Sequence, residues 1–129
     1  MEELTIKTTK EKEVLDITAE IQRVVKEKGF QNGICHLFAT HTTAAITTAD
    51  LDPGTDLDML DAFDFVVPDL KYRHPHNPRH VKYHILASII GQSLAVPVEK
   101  GELVLGPWQH IVLIEFGGPR ERNIVVNLS

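Results

Sequence analysis

Disulfide bonding, membrane insertion and nucleic-acid gripping are the first properties this sequence argues against. It has one cysteine, Cys35, so no intrachain disulfide can form, and its setting in the apolar stretch GICHLFA suits a small buried thiol in a strand. A lone cysteine also fits a reducing compartment. No apolar run approaches the roughly 18 to 20 residues a membrane helix needs. The opening MEELTIKTTKEKEV lacks a basic stretch followed by an apolar one, so no secretory signal is expected and the cytoplasm is the expected compartment. Lysine and arginine number 13 against 18 acids, a formal charge of -5 and the wrong sign for neutralising nucleic-acid phosphates. Neither nucleic acid nor membrane is an expected partner. P-loop, GxGxxG, CxxC and Ser-His-Asp patterns are also missing.

What is present fits one globular domain over residues 1–129, with 43% hydrophobic and 24% charged residues. LTIKTTK reads as a strand. VLDITAEIQRVVKEKG carries Ile17, Ile21, Val24 and Val25 at helical spacing, with Asp16 as the N-cap and Gly29 as the terminator. GICHLFATHTTAAITTAD predicts two strands broken near Ala39 to His41. After the Asp52-Pro53-Gly54 turn, a helix capped by Thr55 or Asp56 is predicted, with Leu57, Leu60, Phe63 and Val67 on one face and Asp58, Asp61 and Asp64 largely on another. Asn77 as cap and Pro78 at the first helical position predict a further helix to about Gln92. From Ser93 on, turns at Glu99 to Gly101, Gly106-Pro107 and Gly117 to Pro119 separate three expected strands. Those turns are too short for crossover helices. The expectation is therefore an α+β fold, a compact two-layer β-sandwich of mainly antiparallel strands with about three helices.

Three constellations can carry chemistry. The stretch YRHPHNPRHVKYH holds four of the seven histidines: His74, His76, His80 and His84. His80 and His84, four apart on a helix, lie about 6 Å from each other as in the zinc-binding HExxH motif, but without its glutamate. A third imidazole would complete a catalytic-type metal site, and His41, at a strand break beside Thr42 and Thr43, is the best candidate. Alternatively, these are solvated loop histidines and a bonded core histidine. The Asp-rich segment from Asp50 fails the calcium-loop pattern, since Thr55 stands where glycine is obligatory and Asp61 where glutamate is, although Asp50 and Asp52 can still serve a hard cation such as magnesium. Finally, GGPRER sets Arg120 and Arg122 beside a turn whose free N–H groups can face an anion, with arginine supplying the fork that suits phosphate.

Over nearly its whole length the chain resembles the YjbQ-like family, sometimes called secondary thiamine-phosphate synthase type. The resemblance rests on CHLFATHTTAAI, the YRH loop, HILASIIG, and GELVLGPWQ before a GPR turn. It implies a compact α+β domain assembling as a homotrimer and a thiamine-phosphate synthase side activity, a transferase reaction on small phosphorylated metabolites. It places a catalytic set at His41, Thr42, His84 and Arg120, substrate contacts at Thr43, Trp108, Gln109 and Arg120, and a divalent metal, zinc or magnesium, on His41, His74 and His84, with His76 as the alternative to His74. A non-catalytic oligomeric module that binds a metal or a phosphorylated metabolite is the alternative function. The chain departs from the family pattern at GPWQ, at HNPRH, and at Lys82 and Tyr83 before the helix histidine. The principal thiamine-phosphate synthases are TIM barrels, which about 129 residues cannot close, so a shared activity implies convergence.

Overall fold

The computed structural model describes residues 1–74 and 78–129, apart from the side chain of Arg79. His76 and the predicted cap Asn77 therefore lie outside the described residues.

Eight strands form two sheets. The larger has the order β1-β8-β3-β5-β6, from β1 (Glu2–Lys7), β3 (Gly33–Ala39), β5 (Ser93–Glu99), β6 (Glu102–Leu103) and β8 (Glu121–Leu128); the smaller has the order β2-β7-β4, from β2 (Glu13–Asp16), β4 (Ala44–Ala49) and β7 (His110–Glu115). Every strand pair is antiparallel. Helices α1 (Thr18–Glu27), α2 (Thr55–Val66) and α3 (Val81–Ile90), the last preceded by a 3-10 turn at Pro78–His80, complete the α+β fold.

Alternation along the strands explains the layering. In β3, Cys35, Leu37 and Ala39 point inward while His36 and Phe38 face solvent, so the larger sheet has one wet face. In β7 every residue from Ile111 to Glu115 is buried. Ile111 and Leu113 join α1 and the larger sheet in one core, whereas Val112 and Ile114, with Phe116 just beyond the strand, join α2 and α3 in another. The smaller sheet is thus covered on both faces, and the sandwich gains a helical third layer.

Three local expectations change. A short strand not expected from the sequence, Glu13–Asp16, precedes the first helix and pairs Val14 and Leu15 with Ile114 and Leu113; the helix starts at Thr18 with Ile17 at its cap position, and Asp16 serves that start by accepting from the Thr18 N–H at 3.0 Å and its hydroxyl at 2.7 Å. The last third holds four strands, since Glu102–Leu103 folds back on Val98–Glu99. In α2, Leu57 points away from the core and is 60% exposed, while Met59, Leu60 and Phe63 pack inward; Gly54, with φ +92°, precedes the helix and no side chain caps it.

Candidate functional site

Between β3 and β4 the chain passes from the larger sheet to the smaller through Thr40–Thr43. The crossing is pinned on both sides: the Thr40 N–H donates to the Asn123 carbonyl at 3.3 Å and the Phe116 N–H to the Thr43 carbonyl at 3.0 Å. His41 Nε2 accepts the Asn123 N–H at 2.8 Å. An acceptor nitrogen carries no proton, so the neutral ring bears its hydrogen on Nδ1 and that N–H is available as a donor. Burial lowers the pKa of His41 from its ordinary 6.5; the charges of Arg122 and Arg120 push the same way, against Glu115. At neutral pH the ring is therefore an uncharged single donor.

A buried ion pair lies beneath the crossing. Arg122 and Glu115 are 1% and 0% exposed. Arg122 Nε donates to both Glu115 oxygens at 2.9 and 3.0 Å, its Nη2 also bonds Glu115 Oε2, and the same Nη2 donates to the Thr43 carbonyl at 3.1 Å and to Thr43 Oγ1 at 2.8 Å. The Thr8 hydroxyl donates to Glu115 at 2.7 Å. Burial alone raises the Glu115 pKa, but the bonds from Arg122, Thr8 and the Gly117 N–H outweigh it and hold the carboxyl below its usual value. Charges taken out of water in this way persist only when fully bonded.

The Gly-Gly-Pro turn belongs to this network and does not offer free donors. The Gly117 N–H bonds Glu115 Oε2 at 3.2 Å, the Gly118 N–H bonds the Glu11 carbonyl at 3.0 Å, and the Arg120 N–H bonds Thr8 Oγ1 at 2.9 Å. The anion that this turn faces is the protein's own Glu115. Glycine is needed at 118 for close approach, because a Cβ there would meet the Lys10 carbonyl and lie 2.8 Å from both Glu115 Oε1 and Thr8 Oγ1. The two arginines therefore divide: Arg122 is internal structure, while Arg120 is exposed and its charge reaches His41.

From α3, His84 hydrogen-bonds the Thr42 backbone in the sense that favours its protonated ring, yet burial and the charges of His74 and His80 lower its pKa overall. His74 stacks on His84, with centroids 5.3 Å apart and planes 17° from parallel. The charge of Arg120 thus reaches His41 at the crossing, where Thr43 is held by the buried Arg122, while His84, with His74 stacked on it, meets the same crossing at the Thr42 backbone. His80 also borders a cavity of about 610 Å3 walled by Tyr72, Tyr83, Leu70 and the Lys82 ammonium. Lys82 is only 6% exposed and donates to the Asp64 carbonyl at 2.8 Å. Glu115, a lone acid in the run HIVLIEF, and Lys82 are the polar residues that pattern reading missed.

Trp108 and Gln109 are not brought there. Gln109 Oε1 accepts the Gly106 N–H at 2.8 Å and its Nε2 reaches Thr48 Oγ1 at 3.5 Å, at the far end of β4. The five residue steps from Ala44 to Ala49 span about 17 Å. Trp108 is 72% exposed in that turn.

The histidine set fits a metal poorly. His41 has committed Nε2 to a backbone N–H and carries its proton on Nδ1, so this ring offers no lone pair to a cation, while the bond of His84 to Thr42 engages one of its two ring nitrogens. Among the described residues no three His, Cys, Asp or Glu side chains form a metal-binding group.

Residues 2–129 match the family model described as UPF0047 protein YjbQ-like. A UPF0047 protein of Archaeoglobus fulgidus is 38% identical over 125 residues, covering 96% of this chain and 97% of its own. UPF0047 protein YugU of Bacillus subtilis is 40% identical over 126 residues, covering 97% and 96%. Among solved structures, a conserved protein of the yjbq/upf0047 family from Clostridium acetobutylicum superposes with a TM-score of 0.90 at 35% identity, covering 100% of both chains. A YbjQ-like protein of unknown function from Sulfolobus solfataricus gives 0.89 at 35% identity, covering 97% of this chain and 92% of that one.

Proposed function

This chain belongs to the YjbQ-like UPF0047 family, and from that premise we propose that the β3–β4 crossing binds the phosphate groups of a small metabolite and supports a thiamine-phosphate-synthase-like side reaction. The observation that carries the reading is that the His41 ring with the exposed Arg120 charge, and the His84 ring at the Thr42 backbone, all adjoin a crossing that is internally bonded by Arg122 and Glu115. Donors held this rigidly need little reorganisation when charge develops beside them.

In the proposed reaction the C–O bond between a pyrimidine methyl group and its diphosphate breaks, and pyrophosphate leaves with the bonding electrons. The thiazole nitrogen of a thiazole phosphate then forms the new C–N bond. Arg120 and the two imidazoles take up charge on the leaving pyrophosphate. Tyr72, walling the cavity next to His80, offers an aromatic face to the pyrimidine cation, whereas the Tyr83 ring is already stacked on Phe116 and covered by the Lys12 ammonium. No step is routed through zinc or magnesium, since the described donors do not form a cage for either.

Trp108 and Gln109 join this site only from a second copy, which is how the expected homotrimer enters the proposal. Incubation of the purified protein with the two substrates, with product and released pyrophosphate both measured, tests the activity. Product no greater than that of a His41→Ala, His84→Ala double variant removes the enzymatic reading. Retained pyrophosphate binding in that case leaves a non-catalytic module that binds phosphorylated metabolites.

A further inference from the structure

Helix α2 covers part of the second core, yet none of its residues is buried. Met59, Leu60 and Phe63 face inward and pack against that core. Leu57, Asp61 and Phe65, spaced by four, form one outward stripe, and Asp58 and Ala62 form the next. Leu57 is 60% exposed, Phe65 89% and Val66 59%, and Leu70 just beyond the helix is 63%. A phenylalanine and two aliphatic residues left in water on one short helix are an unusual cost for a soluble surface.

Carboxylates dominate the charge around this patch. Seven of the eight aspartates lie between Asp50 and Asp69, and no lysine or arginine occurs from residue 29 to residue 70. Asp64, at the inner edge, is paired with Lys12 at 3.4 Å and with Lys82 at 3.7 Å. Among the described residues, no salt bridge engages Asp58 or Asp61, which flank Phe65 on the outward face.

We propose that the outward face of α2 is a docking surface for a cationic amphipathic segment of another protein, with Leu57 and Phe65 as apolar anchors and Asp58 and Asp61 as partners for its lysines or arginines. The charge selects this occupant. An anionic lipid surface and a nucleic acid are both repelled by the carboxylates. A second copy meeting this face through its own α2 would oppose like charges across a two-fold contact, and a copy meeting it through a different surface, as in a cyclic trimer, is the alternative that sedimentation decides. This surface is separate from the β3–β4 crossing, and the inference does not depend on the chemistry proposed there.

The test is fluorescence anisotropy of a labelled synthetic Leu/Lys amphipathic helix titrated with the full-length protein, with a Leu/Glu helix as control. The Leu/Lys probe is expected to bind saturably at low salt and the Leu/Glu probe not at all. Binding is expected to weaken roughly tenfold in a Leu57→Ser, Phe65→Ser variant and again in Asp58→Asn, Asp61→Asn. These positions are exposed, so unchanged circular dichroism will confirm that both variants fold. Binding undiminished by the serine pair overturns the proposal. So does sedimentation showing that the wild type self-associates through this face and that Phe65→Ser dissociates it, since a second copy would then be the occupant.

Discussion

The two ends of β4 both carry polar signatures in the sequence, THTT before Ala44 and PWQ beyond its partner strand at Ala49, but they are built in different ways. At the Ala44 end, the crossing, reached by His84 from α3 and by the Arg120 charge from the β7–β8 turn, is held by a buried ion pair bonded to Thr43 and by the His41–Asn123 bond. At the Ala49 end, Gln109 closes its own turn and Trp108 lies in solvent. The first arrangement fixes the direction of each donor before any ligand arrives. The second fixes a loop and leaves its largest side chain without a wall to pack on. A polar motif becomes a site when long-range contacts hold it, and here those contacts come from Arg122 and Glu115, residues with no solvent exposure to speak of.

The sharpest way to break this contrast is to remove the ion pair. Arg122→Met leaves Glu115 charged and buried, removes the donor to the Thr43 hydroxyl and leaves the Thr43 carbonyl only its Phe116 N–H bond, so a loss of about 3–5 kcal/mol is expected in urea unfolding at neutral pH. Little change would mean that the crossing does not rest on this pair. His41→Ala orphans the half-buried Asn123 N–H and is expected to cost about 1–3 kcal/mol, whereas His41→Gln, which can still accept, should cost less. Equal losses from the two substitutions would contradict the assigned acceptor.

A pH experiment separates the ends without large mutations. His41 and His84 have folded pKa values below 6.5, so below that value the unfolded chain binds more protons than the folded one. Stability should therefore fall as pH drops through about 6.5 and level off below the folded values. A His41→Gln, His84→Gln variant should show a flatter urea midpoint between about pH 8 and pH 5.5. The smallest effect belongs to the other end of β4: Trp108→Ala should change the stability of the single chain by no more than about 0.5 kcal/mol. A loss of pyrophosphate binding in that variant, scaling with protein concentration, would show that a second copy brings the indole to the crossing.

Much of this architecture was legible in the residues because local rules govern it. Apolar and β-branched residues without a helical period marked β3 and β4 with a break near Ala39 to His41, Gly29 with φ +61° ended the first helix, and short turns required antiparallel neighbours. The α2 face was misassigned by one stripe because Leu57 and Phe65 are as apolar as the core positions beside them, and only contact with the second core distinguishes inside from outside. Residue types in THTT, YRH and GPR pointed to side chains that the fold sets around the β3–β4 crossing. Sequence could not show that Arg122 turns inward while Arg120 faces out, because that choice depends on Glu115, an acid concealed in the apolar run of β7 and visible only through its partners Thr8 and Arg122. Nor could it show that the glycine turn's N–H groups are already bonded.

The β3–β4 crossing is proposed as an anion site formed by donors of the protein itself. Isothermal titration of pyrophosphate into the wild type and into a His41→Ala, His84→Ala, Arg120→Ala variant, each with a chelator present, tests it most directly. The account predicts saturable binding to the wild type despite the chelator and a loss of at least roughly tenfold in the variant. Binding that appears only when zinc or magnesium is added, or that survives the triple substitution, would contradict it.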